Sequence, residues 1–122
     1  MIRSAVALLA VLIAGAAVAQ DGSALFNTCR ACHSLDPAAK AMAGPNLSGL
    51  IDRKVAGDPQ FDYSPVLRQA RDEGRVWSAD ALEKFIADPE AMFPGTWMSS
   101  IPVASAADRQ TLAQFIADPA SR

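Results

Sequence analysis

Two cysteines three positions apart, followed at once by a histidine, carry the most chemistry in this sequence: Cys29-Arg30-Ala31-Cys32-His33. The spacing is that of covalent haem c attachment, in which each thiol forms a thioether to a haem vinyl group and the adjacent imidazole binds the iron. Three other chemistries use parts of the same pattern. A thioredoxin-like redox pair belongs beside a βαβ pattern, and nothing here alternates strand with helix. A zinc site needs four ligands, whereas the whole chain holds two cysteines and one histidine. A disulfide across so short a gap closes a very small loop and removes little unfolded-chain entropy.

An electron carrier needs iron that is six-coordinate in both oxidation states, so that little moves when charge does. A thioether opposite imidazole meets that need and raises the potential. The methionines are Met1, Met42, Met92 and Met98. Met98 ends Pro94-Gly95-Thr96-Trp97-Met98, where proline and glycine can turn the backbone sharply and present the following side chains inward. Met42 lies close in sequence to His33, from which the far side of a haem is hard to reach, and Met92 precedes the turn. Met98 is therefore the expected second iron ligand, although a methionine in a small apolar domain more often fills core space.

The N-terminus bears on the compartment in which these thiols would react. Arg3 is the one charge before Asp21, residues 5–18 are apolar or small, and Ala17-Val18-Ala19 has the small-x-small form of a secretory cleavage site. A bilayer span needs about 20 apolar residues, so a cleaved signal peptide over residues 1–19 is expected rather than a retained tether. Residues 20–122 then form a single domain, exported to the periplasm. Losing Arg3 and no acid takes the net charge from −2 to −3. No long basic run remains, which argues against nucleic acid as a partner. A domain this small buries proportionally little surface, and a central haem would add apolar area that the side chains lack.

The elements that must position these residues are short helices. Asp21 can cap a segment carrying Leu25 and Phe26 that delivers Cys29. Ser64-Pro65 reads as an N-cap with proline at the first helical position, and Gly74 as the terminator. Ser78 opens a run with Leu82, Phe85 and Ile86 inward, ending before Pro89. Ser105 with Asp108 reads as a capping box for a last helix with Leu112, Phe115 and Ile116 on one face, stopping before Pro119. Phe85-Ile86-Ala87-Asp88-Pro89 recurs as Phe115-Ile116-Ala117-Asp118-Pro119, which reads as two helices ending alike rather than as a repeat array. Residues 34–62 and 89–104 show neither strand alternation nor helical spacing, and loops that long need a cofactor to wrap around. The expected fold is all-α, with four to five short helices.

In ordered series, Cys29 to His33, Gly44-Pro45-Asn46-Leu47, Arg53-Lys54, Phe61-Asp62-Tyr63-Ser64, Trp77, and Asp88-Pro89 leading to Pro94 through Met98 resemble the class I c-type cytochromes, specifically the cytochrome c2 and mitochondrial-like cytochrome c group. The resemblance covers essentially all of residues 22–122. It implies the small cytochrome c fold, long loops wrapped around one covalently attached haem c. Cys29 and Cys32 would carry the thioethers, with His33 and Met98 as axial ligands. The Pro45 carbonyl would orient His33, while Arg53, Tyr63 and Trp77 would hydrogen-bond the haem propionates. Thr96 would reach a propionate or the Tyr63 network. Without the resemblance, Arg53 reads as a solvated charge and Tyr63 and Trp77 as core aromatics.

The function so implied is a monomeric electron carrier, not an enzyme, shuttling single electrons between membrane or soluble redox proteins, for example from a cytochrome bc1-type donor to an oxidase, reductase or reaction-centre acceptor. The alternative is a haem enzyme or a gas or peroxide sensor whose sixth ligand is labile. One departure bears on the partner. Mitochondrial-like members ring the haem edge with lysines, whereas residues 88–97 here contain no base. Docking through a largely apolar edge near Trp97 is expected.

Overall fold

Short local signals at five places start five α-helices in the described residues. The structure is a computed structural model, and it describes residues 10–12, 14–15, 21–99, 103 and 105–122. The cleavage site expected at Ala17-Val18-Ala19 lies outside them, and none of the described helices is long and apolar enough to cross a membrane.

Helix α1 (Gly22–Phe26) begins at Asp21, whose carboxylate accepts the Ala24 N–H at 2.8 Å. Helix α2 (Pro65–Asp72) has proline in its first turn, and the chain leaves it through Gly74 at φ +79°. Helix α3 (Ala79–Ala87) is capped by the Ser78 hydroxyl accepting from Ala81, and α5 (Ala106–Ala117) by the Ser105 hydroxyl accepting from Asp108 at 3.3 Å. These caps satisfy N–H groups that the first helical turn leaves without partners.

One expectation gains a detail and another needs correction. Ser64 stands at the N-cap of α2 but its side chain makes no capping hydrogen bond; its hydroxyl is buried without a partner. Residues 89–104, expected to be irregular throughout, contain the one-turn helix α4 (Pro89–Met92). The recurrent pentapeptide explains it. Asp88 ends α3 in extended backbone and its carboxylate accepts from Ala91, so one residue closes a helix and caps the next turn, which Pro89 begins. Asp118 does the same after α5, capping the 3-10 turn Pro119–Ser121 through Ala120.

Helix α5 packs against both α1 and α3. At the α1 crossing a Cβ on Gly22 would collide with the Phe115 side chain, so only glycine permits this approach. Phe26 and Phe115 meet there with ring centroids 5.9 Å apart. Leu82, Phe85 and Ile86 of α3 and Leu112, Phe115 and Ile116 of α5 are buried, as their helical spacing predicts. Trp77, Phe85 and Phe93 form a second group, with centroids 5.3 to 6.3 Å apart in edge-to-face arrangement. Residues 34–62 form no helix. Their extended contact with the rest is one antiparallel bridge, Lys54 to Val76, flanked by Val55 N–H to Arg75 O and Trp77 N–H to Arg53 O at 2.9 Å each. That bridge sets Arg53 and Trp77 side by side in the fold.

Candidate cofactor site

A cavity of about 510 Å³ opens between the loops and α3, and every residue expected to take part in a haem site lines it: Cys29, Cys32, His33, Pro45, Arg53, Tyr63, Trp77, Thr96 and Met98. The remainder of its wall is largely aliphatic and aromatic, with Leu47, Leu50, Leu67, Leu82, Phe85 and Ile86 among the contributors. Its size and apolar wall suit a flat hydrophobic cofactor.

The attachment sequence follows α1 as a single helical turn. The N–H groups of Cys32 and His33 both donate to the Cys29 carbonyl, at 3.1 and 2.9 Å. Residues i and i+3 of such a turn lie on one face, so both thiols can reach the same side of one ligand. Both are free, Cys29 buried and Cys32 exposed, and burial pushes the Cys29 thiol above its ordinary value.

His33 is held at one nitrogen. Its Nδ1 is 2.7 Å from the Pro45 carbonyl, an acceptor only, so Nδ1 must carry the proton and donate. Burial lowers the imidazole pKa, against the opposing pull of the Pro45 bond. The neutral ring then presents its lone pair at Nε2, the form that binds a metal. Gly44 closes over this ring: any Cβ there would run into the imidazole. That role was not read from the sequence, where Gly44 stood only as one member of a motif; a glycine next to the orienting proline was the available signal.

Around the loops, Asn46 organises the backbone. Its amide donates to the carbonyls of Asp36 and Ala39 at 2.7 and 3.0 Å, its Oδ1 accepts from Ser48, and its N–H donates to Asp58. Its own carbonyl accepts from Arg53 at 2.8 Å. Arg53, half-buried, thus spends its terminal nitrogens on Asn46 and Ser48 while its Nε stays buried without a partner. The Tyr63 hydroxyl accepts from the Asp58 N–H at 3.1 Å, and burial raises its pKa above the ordinary 10. Thr96 makes no bond to Tyr63; its Oγ1 too is buried and unpartnered.

Three cavity residues therefore present orphaned buried polar atoms: Arg53 Nε, Ser64 Oγ and Thr96 Oγ1. Buried polar groups are normally paired, and each of these can donate, so the wall fits a ligand that brings acceptor oxygens into an apolar space. Haem, with two carboxylates on a hydrophobic ring, is such a ligand. Ser64, which stands at the N-cap of α2 as expected, also contributes its hydroxyl to this polar wall.

The methionines separate cleanly. Met98 lines the cavity, whereas Met42 is exposed and Met92 packs against the core without reaching the cavity wall.

No protein-family model matches the chain. Among curated proteins it is 34% identical over 100 residues to cytochrome c2 of Agrobacterium tumefaciens (strain II Chrys), covering 82% of this chain and 90% of that one. It is 38% identical over 77 residues to cytochrome c-550 of Ancylobacter novellus, covering 63% and 72%. Its fold is similar to the solved cytochrome c2 of Rhodospirillum centenum, with a TM-score of 0.72 at 28% identity over 78% of this chain and 92% of that one. Ferricytochrome c2 of Rhodopseudomonas palustris gives 0.71 at 30% identity, covering 80% and 97%. The chain belongs to the class I c-type cytochromes of the cytochrome c2 group, electron carriers rather than enzymes, with one covalently bound haem c.

Proposed function

We propose that this cytochrome is an exported, monomeric carrier whose haem iron is bound by His33 and Met98. The observation that carries the reading is that Met98, alone of the described methionines, shares a cavity with Cys29, Cys32 and His33. Haem supplies a centre that takes up and returns one electron. The residues do the rest. Cys29 and Cys32 would hold the group through thioethers, the Pro45 carbonyl keeps His33 in one tautomer and orientation, and Met98 would offer its thioether sulfur to the iron. Arg53, Ser64 and Thr96 would offer their unpaired donors to the propionates, and Tyr63 and Trp77 line the same cavity. Burying carboxylates without such partners would be costly.

The fifteen-residue span of apolar and small character ahead of Gln20, ending in Ala17-Val18-Ala19, supports export and cleavage after Ala19, which leaves residues 20–122 as the working domain in the periplasm. Its partners are a donor of the cytochrome bc1 type and an oxidase, reductase or reaction centre as acceptor. The exposed residues of the cavity wall are Thr28, Cys32, Ala43, Trp97 and Ser99, none of them charged. Arg30, the nearest cation in sequence, lies over the Phe26 ring at 4.9 Å and donates to Asn27. The partner face is accordingly uncharged, with Trp97 its large exposed apolar side chain.

Optical spectra of the purified protein test the ligation. Sharp bands on reduction and a weak near-infrared band on oxidation are expected, the latter disappearing in Met98→Ala. A high-spin spectrum in the unmodified protein, or a near-infrared band that survives the substitution, would refute Met98 as the ligand.

A further inference from the structure

The segment that ends at Met98 starts from Phe93, which is 2% exposed. Two features tie down its first half. Phe93 N–H donates to Pro89 O and Thr96 N–H to Phe93 O, each at 2.9 Å, which closes the turn. Gly95, at φ +88°, donates its N–H to the Glu90 carboxylate at 3.0 Å. The Arg75 guanidinium carbon sits 4.5 Å from the centroid of the Phe93 ring.

Arg75 is exposed, but its backbone is not free to wander. Its N–H donates to Ala70 O at 3.0 Å, and its carbonyl accepts from Val55 at 2.9 Å. Two residues on, Trp77 is bonded to Arg53 and Asp52 and touches Phe93 edge-on. The cation is therefore anchored beside the bridge that pairs Arg53 with Trp77 and laid across the root of the segment that carries Met98. A planar guanidinium stacked on an aromatic face is attractive beyond its area burial.

We propose that Arg75 is a positioning residue that holds the Phe93 to Met98 segment closed over the iron. This rests on the reading of Met98 as axial ligand. The proposal requires that opening of the segment carry Phe93 away from the guanidinium, so that the contact belongs to the closed arrangement and biases the equilibrium toward it. An added ligand that replaces Met98 can bind only the open arrangement, and its apparent affinity falls with the open fraction.

The experiment is titration of the oxidised holoprotein with imidazole, followed by loss of the near-infrared band. Arg75→Gln is expected to raise the apparent imidazole affinity about two- to fivefold, the range of a surface cation–aromatic contact converted to an equilibrium constant. Arg75→Lys should restore most of the wild-type value. Lys84→Gln, which also removes one surface cation, should leave it unchanged. Equal affinity in wild type and Arg75→Gln, or an equal increase in Lys84→Gln, overturns the role of Arg75 while leaving the ligation intact. A wild-type protein lacking the near-infrared band overturns both.

Discussion

At the scale of single residues, the cavity is built from groups whose states are set by burial. Burial lowers the His33 pKa, and the Pro45 carbonyl decides which of its nitrogens carries the proton in the neutral ring. Tyr63 offers a measurable consequence. Desolvation raises its hydroxyl above 10, partly offset by the Asp58 N–H and the Arg53 charge. The folded state therefore favours the protonated phenol more than the unfolded state does. Its contribution to stability is complete below pH 10 and is lost as pH rises through the raised folded value. Tyr63→Phe removes the group, so the stability gap between wild type and variant should narrow as pH climbs past 10, read from denaturant unfolding at a series of pH values. A gap that stays constant across that range would contradict the linkage.

At the scale of elements, the packing of α1 on α5 decides where Cys29 is delivered. The turn carrying both thiols follows directly from α1, and α1 rests on α5 through Gly22 and Phe26. Gly22→Ala puts a methyl group into the Phe115 side chain, and overpacking of this kind costs roughly 1–3 kcal/mol. The expected outcome is a lower denaturant midpoint for the holoprotein together with an unchanged slope. A wild-type midpoint would show that the two helices separate without cost. The Asp-Pro junctions at Asp88 and Asp118 show the opposite economy, since a single carboxylate there serves two elements.

At the scale of the molecule, the cavity and its charge distribution dominate. A flat apolar group bound in the cavity of about 510 Å³ would cover the aliphatic and aromatic side chains of its wall. The cofactor is thus part of the core as well as the redox centre. The uncharged mouth has a kinetic consequence. Complementary charges govern encounter rates more than contact energy does, and salt screens them over about 10 Å at 0.1 M. Electron transfer with the physiological partner should change less than about threefold as ionic strength rises from roughly 0.01 to 0.1 M. A steep fall with added salt would show that charged groups outside the mouth steer docking.

Residue types and spacing by themselves determined the attachment turn, the caps at Asp21, Ser78 and Ser105, and the inward faces of α3 and α5, because each depends on neighbours within a few positions. They also singled out Met98 as the proposed second ligand, through the turn that precedes it. Tertiary structure decided what depends on distant contacts. The Ser64 hydroxyl has the sequence signature of a cap, yet it lies buried in the cavity wall, and Pro89–Met92 forms a helix because Asp88 can serve both sides. Gly44 over His33, Arg53 bound through Asn46, and Arg75 across Phe93 join residues that no local pattern connects. Local hydrogen bonding writes the first group into the chain, while the second exists only once loops from different parts of the sequence close around a common space.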